Sequence, residues 1–344
     1  VSKLIENIKR LSGLPGVSGR EEAVRDEIFA QIRDHCESCE VDPLGNLIAF
    51  KKGEKPPPKR LLLAAHMDEV GLIITHIEDN GMLRFAPVGG IDGRVAFGKW
   101  VEVGRNRLPG VIGGKAVHHL SKDEKESVPA WDKLFIDIGA ASKDEAAERV
   151  SPGERVVFAG ECAEFGDGLL IGKALDDRAG CALLIELIHG QLLYDCHFAF
   201  TVQEEIGCLG AKTAGYALKA DIAIVVETTT AADIEGTAPD KQVCKLGGGP
   251  VIPFMDKGTV YDKALYGLAF ETAEKAGLPC QTKSVVAGGN DARSLQTAGG
   301  GARVLAVNLP CRYLHSPSLV ISKADAAAAQ SFLTALINEI GGRS

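Results

Sequence analysis

Leu61-Leu62-Leu63-Ala64-Ala65-His66-Met67-Asp68 is the stretch on which the fold turns. Its continuous apolar run, from residue 60 to 66, reads as a strand inside a sheet covered on both faces. His66 and Asp68 follow where that strand leaves the sheet. Positions i and i+2 of a strand share a face, so a nitrogen ligand and a carboxylate emerge together. A metal-binding histidine needs a carboxylate or carbonyl to fix its other ring nitrogen, and Asp68 is placed to orient His66 directly or through the local bend. A lone His-x-Asp is more often structural. Its weight here comes from acidic and histidine sites downstream that also follow apolar segments.

On either side of this strand the pattern is α/β. Residues 2–12 and 19–36 have helical periodicity, and Ser18-Gly19-Arg20-Glu21 has the spacing of a capping box for the second helix. Glu40–Asp42 and Asn46–Phe50 read as strands around a Pro-Leu-Gly turn. From Asp68 to about Gly160 the character changes to short β-type runs punctuated by Gly and Asn, the signature of a small barrel or sandwich. From Lys173 onward strands (197–202, 220–226, 281–286, 302–307) alternate with helices (178–190, 207–218, 259–276, 322–340). The expected architecture is one α/β domain, residues 1–68 and 161–344, interrupted by a β-rich insertion at 69–160.

With 344 residues, 45% of them hydrophobic, the chain can build a large core and divide into two domains. A net charge of -8 argues against a broad nucleic-acid footprint. The basic stretch Lys51–Arg60 carries three prolines and reads as a solvated loop. No apolar run approaches a membrane span and no signal peptide is read at the start. Nine scattered cysteines do not suggest a disulfide framework, so a reducing cytoplasm is expected. Cys36 and Cys39 form a CxxC beside His35, but no second pair completes a zinc site, and a pair of reduced thiols accounts for them.

Four elements sit where strands meet loops: Asp176-Asp177-Arg178, Glu204-Glu205, Glu227, and His315 within Tyr313-Leu314-His315-Ser316-Pro317. In an open α/β sheet, sites gather outside the carboxyl ends of the strands, so these residues can converge. Two histidines and three carboxylates, one bridging, would give each of two zinc-class ions three protein ligands and room for a shared water. One carboxylate of the Glu204-Glu205 pair is left as a general base, because neighbours at a strand end point apart. The implied reaction is amide hydrolysis. Each element has a plainer explanation: Glu-Glu is often a solvated pair, and Asp-Asp-Arg makes a good helix cap. The joint pattern is harder to explain that way.

The chain resembles the di-metal aminopeptidases that build tetrahedral dodecamers, the TET-type group also catalogued as glutamyl aminopeptidases or endoglucanase-M and fructose-operon-type proteins. The resemblance lies in Ala65–Gly71, Gly172–Arg178, Val202–Gly207, Leu246–Pro250, Gly288–Ala292 and Tyr313–Pro317, in order along essentially the whole chain. It implies a mixed-sheet α/β/α metallopeptidase domain with an inserted barrel-like dimerisation domain. His66, Asp176 and Glu227 would hold one metal and Asp176, Glu205 and His315 the other, with Asp176 as the bridge. Glu204 would be the general base and acid, Asp68 would orient His66, and the Asp176–Asp177 peptide would be cis. Two departures stand out: Glu227 where the family commonly has aspartate, and Asn290 where threonine is usual. The 115–131 loop matches a family segment that can reach a neighbouring subunit, although exposed loop histidines account for His118 and His119.

The reading is therefore an aminopeptidase acting on short peptides with a free amino end, using two divalent ions (zinc, with cobalt or manganese as alternatives) and assembling into dimers and a dodecamer. A di-zinc amidohydrolase of acylated amino acids would share the same core. A non-catalytic assembly protein would be expected to lack a ligand or the base. A glycosidase would need a carboxylate pair around a sugar and aromatic platforms, and this chain is 6% aromatic.

Overall fold

The computed structural model describes residues 2–343. Its centre is an eight-stranded sheet in the order Ser38–Val41, Leu47–Lys51, Cys196–Thr201, Leu61–His66, Ile222–Thr230, Arg303–Cys311, Val251–Ile252, Gln281–Thr282. The four inner strands run parallel, and antiparallel neighbours close both sides. Every residue of Leu61–His66 is buried. Leu61, Leu63 and Ala65 pack into a core built with the helices Ser2–Ser12, Glu22–Ile32, Leu175–His189 and Lys323–Gly341. Leu62 and Ala64 face the other way, onto Leu209–Leu218 and Ala292–Leu295. A strand wedged between two helix layers has no polar face to show, which is why this segment lacks the alternation of a half-buried strand.

Six strands between Gly71 and Phe158 close into an antiparallel barrel with its own apolar core, including Leu72, Leu83, Val101, Ile112, Ile136 and Val156. A small sheet of Ala163–Phe165, Leu169–Gly172 and Leu319–Ser322 lies beyond it. Among the described residues, no helix is long and apolar enough to cross a membrane.

Three local expectations are corrected. The 281–286 strand shrinks to Gln281–Thr282, because after the Lys283 amide bonds to the Ile252 carbonyl the chain leaves the sheet. The helix expected from 259 begins at Lys263, where the Asp262 side chain accepts from the amides of Ala264 and Leu265. The capping box does not form. Ser18 donates its hydroxyl to Asp68 Oδ2 at 2.6 Å instead, and Glu21 Oε1 accepts from the Gly19 amide at 2.6 Å.

Candidate metal centre

His66 ends its strand, Glu227 lies within the adjoining one, and Asp176 is in the first turn of the helix that follows Gly172. Glu204 and Glu205 follow the strand Cys196–Thr201, and His315 sits in the loop after Arg303–Cys311. The parallel strands bring their carboxyl ends to one edge, and all six residues line one cavity of about 390 Å³. Gln203, Cys208 and His315 hold left-handed backbone at φ of 57°, 56° and 56°, a sparsely populated conformation for residues with a Cβ. Such departures cluster at functional sites.

Asp176 stands between the two histidines. Its Oδ1 is 3.4 Å from His66 Nε2 and its Oδ2 is 3.5 Å from His315 Nε2. His66 Nε2 is also 3.4 Å from Glu227 Oε1, and His315 Nε2 is 3.4 Å from Glu205 Oε2. Zinc bonds of about 2.0–2.2 Å in tetrahedral geometry set neighbouring ligand atoms roughly 3.3–3.6 Å apart. The donor spacing therefore fits two divalent ions sharing Asp176. The Asp176–Asp177 peptide is cis.

Asp68 is fully buried and ties the parts together. The His66 Nδ1 lies 3.0 Å from the Asp68 carbonyl and 3.4 Å from its Oδ1. The amides of Glu204 and Glu205 donate to the Asp68 carboxylate at 2.9 and 3.1 Å. Burial alone would raise Asp68, but the bonds from His66, Ser18 and the Glu204 amide hold it below the ordinary carboxylate range.

The remaining electrostatics are those of crowded carboxylates. Burial, with Asp176 nearby, pushes Glu205 up to about 7 and Glu227 up to about 8. Burial and then the charges of Glu227, Asp291 and Glu205 raise Glu204 well above its ordinary value. Against the opposing effect of burial, Asp176 and Glu205 raise His315 to about 9. A site that concentrates negative charge in this way is one that divalent cations stabilise.

Several neighbours were not anticipated from sequence. Asp177 is close enough to His66 and Glu227 to share a cation site with them, and its Oδ1 accepts from the Gly180 amide at 3.0 Å. Its place in Asp176-Asp177 was the available signal. Lys283 and Cys208 also line the cavity, as does Asn290 of the Gly288–Ala292 segment noted in the sequence, with Asp291 buried nearby. Lys173 donates to both oxygens of buried Glu69 at 2.8 and 2.9 Å beneath the site. His118 and His119 lie against each other with their rings tilted by 49° in an exposed turn and do not line the cavity. Cys36 and Cys39 are free, and burial raises both thiols, so neither is an activated nucleophile.

Residues 45–332 match the family described as M42 glutamyl aminopeptidase. A putative aminopeptidase of Acetivibrio thermocellus is 39% identical, with 94% of each chain covered. The lysyl aminopeptidase of Pyrococcus furiosus is 31% identical, with 97% of each covered. The solved TET1 peptidase of Pyrococcus horikoshii, which can assemble into a tetrahedron or a large octahedral shell, is 38% identical. It superimposes with a TM-score of 0.86, covering 97% of this chain and 99% of that one. The α/β core with its closed barrel is thus the TET aminopeptidase fold, and this chain belongs to the M42 glutamyl aminopeptidase family of aminopeptidases.

Proposed function

We propose that this aminopeptidase is metal-dependent and uses Glu204 as general base and acid. His66, Asp176 and Glu227 would hold one divalent ion, and Asp176, Glu205 and His315 the other; zinc suits the mixed nitrogen and oxygen donors, with cobalt or manganese as alternatives. The observation that carries this reading is Asp176, whose two oxygens each face a different histidine. When bound, such a pair supplies Lewis acidity, lowering the pKa of a shared water and polarising the scissile carbonyl.

The protein's own contribution begins with Glu204. Its raised proton affinity suits a group that takes a proton from the attacking water and passes it to the leaving amine. Asp68 keeps that arrangement in register, because it contacts both the His66 ring and the amides of Glu204 and Glu205. In this assignment the substrate's free amine would sit near the metals and Glu227, one methylene longer than aspartate, whose charge would favour a charged N-terminus over a blocked one.

The same cavity is also lined by three basic residues, Lys257, Lys283 and Arg293. Lys283 is buried, and its ammonium donates to the Ala287 carbonyl at 2.7 Å. Asp256 and Glu227 act on it through space, without a hydrogen bond. An ammonium has three donors, so Lys283 retains capacity for a substrate carboxylate. The preferred N-terminal residue is accordingly acidic, as distinct from the lysyl preference that the P. furiosus relative is named for.

Residues 1–68 and 161–344 form the catalytic domain in this proposal, and 69–160 the dimerisation insert. Self-assembly is supported by the TET1 relative and by exposed Trp100 and Val117 on or beside the barrel, and a tetrahedral dodecamer is the form proposed. Nine free cysteines fit a cytoplasmic setting. The test is hydrolysis of chromogenic aminoacyl and N-acetylated substrates before chelation, after it, and with zinc, cobalt or manganese restored. Chelator-sensitive release from free amino ends supports the proposal. Equal cleavage of blocked substrates, or activity that survives chelation, refutes it.

A further inference from the structure

Against the general base lies a second group of donors that the two ligand sets do not use. One donor atom from each of Glu204, Cys208 and Asp291 lies within 4.8 Å of the others. The turn Glu204–Cys208 makes this contact possible. The Cys208 amide returns to the Glu204 carbonyl at 2.9 Å, and the left-handed backbone at Cys208 turns its thiol toward Glu204 Oε1, to which it donates at 3.3 Å. Asp291 is 1% exposed. Its Oδ2 accepts the Thr201 hydroxyl at 2.5 Å, while Oδ1 is buried without any hydrogen-bond partner. An orphaned buried carboxylate oxygen is costly, and a cation is one way to satisfy it. Glu204 and Cys208 both line the main cavity, which gives an ion a route in.

We propose that Glu204, Cys208 and Asp291 form a third, inhibitory site for a thiophilic divalent ion of the zinc or cadmium class. One sulfur and two carboxylate oxygens give three ligands, leaving a fourth position toward the cavity, and the sulfur favours these ions over magnesium or manganese. Binding converts the thiol to a thiolate–metal bond and releases its proton to solvent. The ion also takes a Glu204 oxygen, so the carboxylate can no longer carry a proton to or from substrate. Activity would therefore rise as the resident pair loads and fall as the third ion binds. The inhibitory consequence rests on Glu204 being the base. The binding itself does not.

The experiment titrates cadmium into enzyme already holding two ions per chain, counting all metals after dialysis and following the ultraviolet thiolate-to-metal charge-transfer band together with turnover. Wild type should gain a third equivalent and the band, and lose turnover over the same range. Cys208→Ser should show no band and need at least roughly tenfold more cadmium for half inhibition, with Asp291→Asn weakening binding in the same direction. A band that persists in Cys208→Ser places the ion on another cysteine and overturns the site. So does cadmium entry matched by loss of a resident ion. A third equivalent with the band but undiminished turnover upholds the site and overturns the role given to Glu204.

Discussion

Replacing Lys283 with Met keeps the length and apolar stem of the side chain but removes its ammonium. In the structure that ammonium lies in the cavity wall with one hydrogen bond, 2.7 Å to the Ala287 carbonyl. Burial pushes the lysine down from its ordinary range, and the nearby charges of Asp256 and Glu227 offset part of that. A bound carboxylate would complete the partnering of a buried cation. A hydrogen bond to a charged partner contributes about 1.5–3 kcal/mol, so its loss should cost roughly 10- to 150-fold. The assay compares kcat/KM for glutamyl and glutaminyl chromogenic substrates, which share shape and differ in charge. Lys283→Met should lower the Glu-to-Gln ratio by that factor, chiefly through KM, because the contact is made in the ground state as well as the transition state. A parallel comparison of dipeptides with their C-terminal amides shows whether the lysine reads the side-chain carboxylate or the chain end. A Glu-to-Gln ratio that stays within about twofold of wild type would show that Lys283 does not read the side-chain carboxylate.

Two further predictions concern the support of the site. Glu69→Gln removes the carboxylate that pairs with buried Lys173 at 2.8 Å and lies 3.5 Å from buried Arg178, and should destabilise the chain by about 3–5 kcal/mol in denaturant unfolding. A loss below about 1 kcal/mol would show that this network contributes little. Glu21, raised by burial and then by Asp68 to about 7 from 4.5, keeps its proton in the folded state over a range where the unfolded chain has lost it. Stability should therefore fall as pH rises between those two values, by about 3 kcal/mol at roughly 1.4 kcal/mol per unit. Unfolding of metal-free protein should show that slope flattened in Glu21→Gln; an unchanged slope would assign it to another group.

The sequence was most legible where burial is uniform or the chemistry is local. Leu61–Ala65 needed no partner to be recognised as an inner strand, and His66 at its end followed from strand geometry. The barrel was legible as closely spaced short strands, because each hairpin carries its own turn residues. Long-range partners were not. Ser18 had the spacing to cap its helix, but Asp68, fifty positions later, offers a buried charged acceptor and takes the hydroxyl instead. Lys283 reaches the cavity on a loop whose course depends on the assembled sheet, so no local pattern marks it, whereas Asp291 lay in the Gly288–Ala292 segment without any sign of its role. The Leu169–Gly172 strand escaped notice because it pairs with Leu319–Ser322, some 150 residues away.

In the proposed mechanism Glu204 moves the proton while other residues hold the metals. Its most direct test is Glu204→Gln, with metal content and turnover measured on the same preparation. The variant should hold two ions per chain, as wild type does, with turnover lowered by about 10²- to 10⁴-fold. Near-normal turnover with both ions bound would take the proton-transfer role away from Glu204.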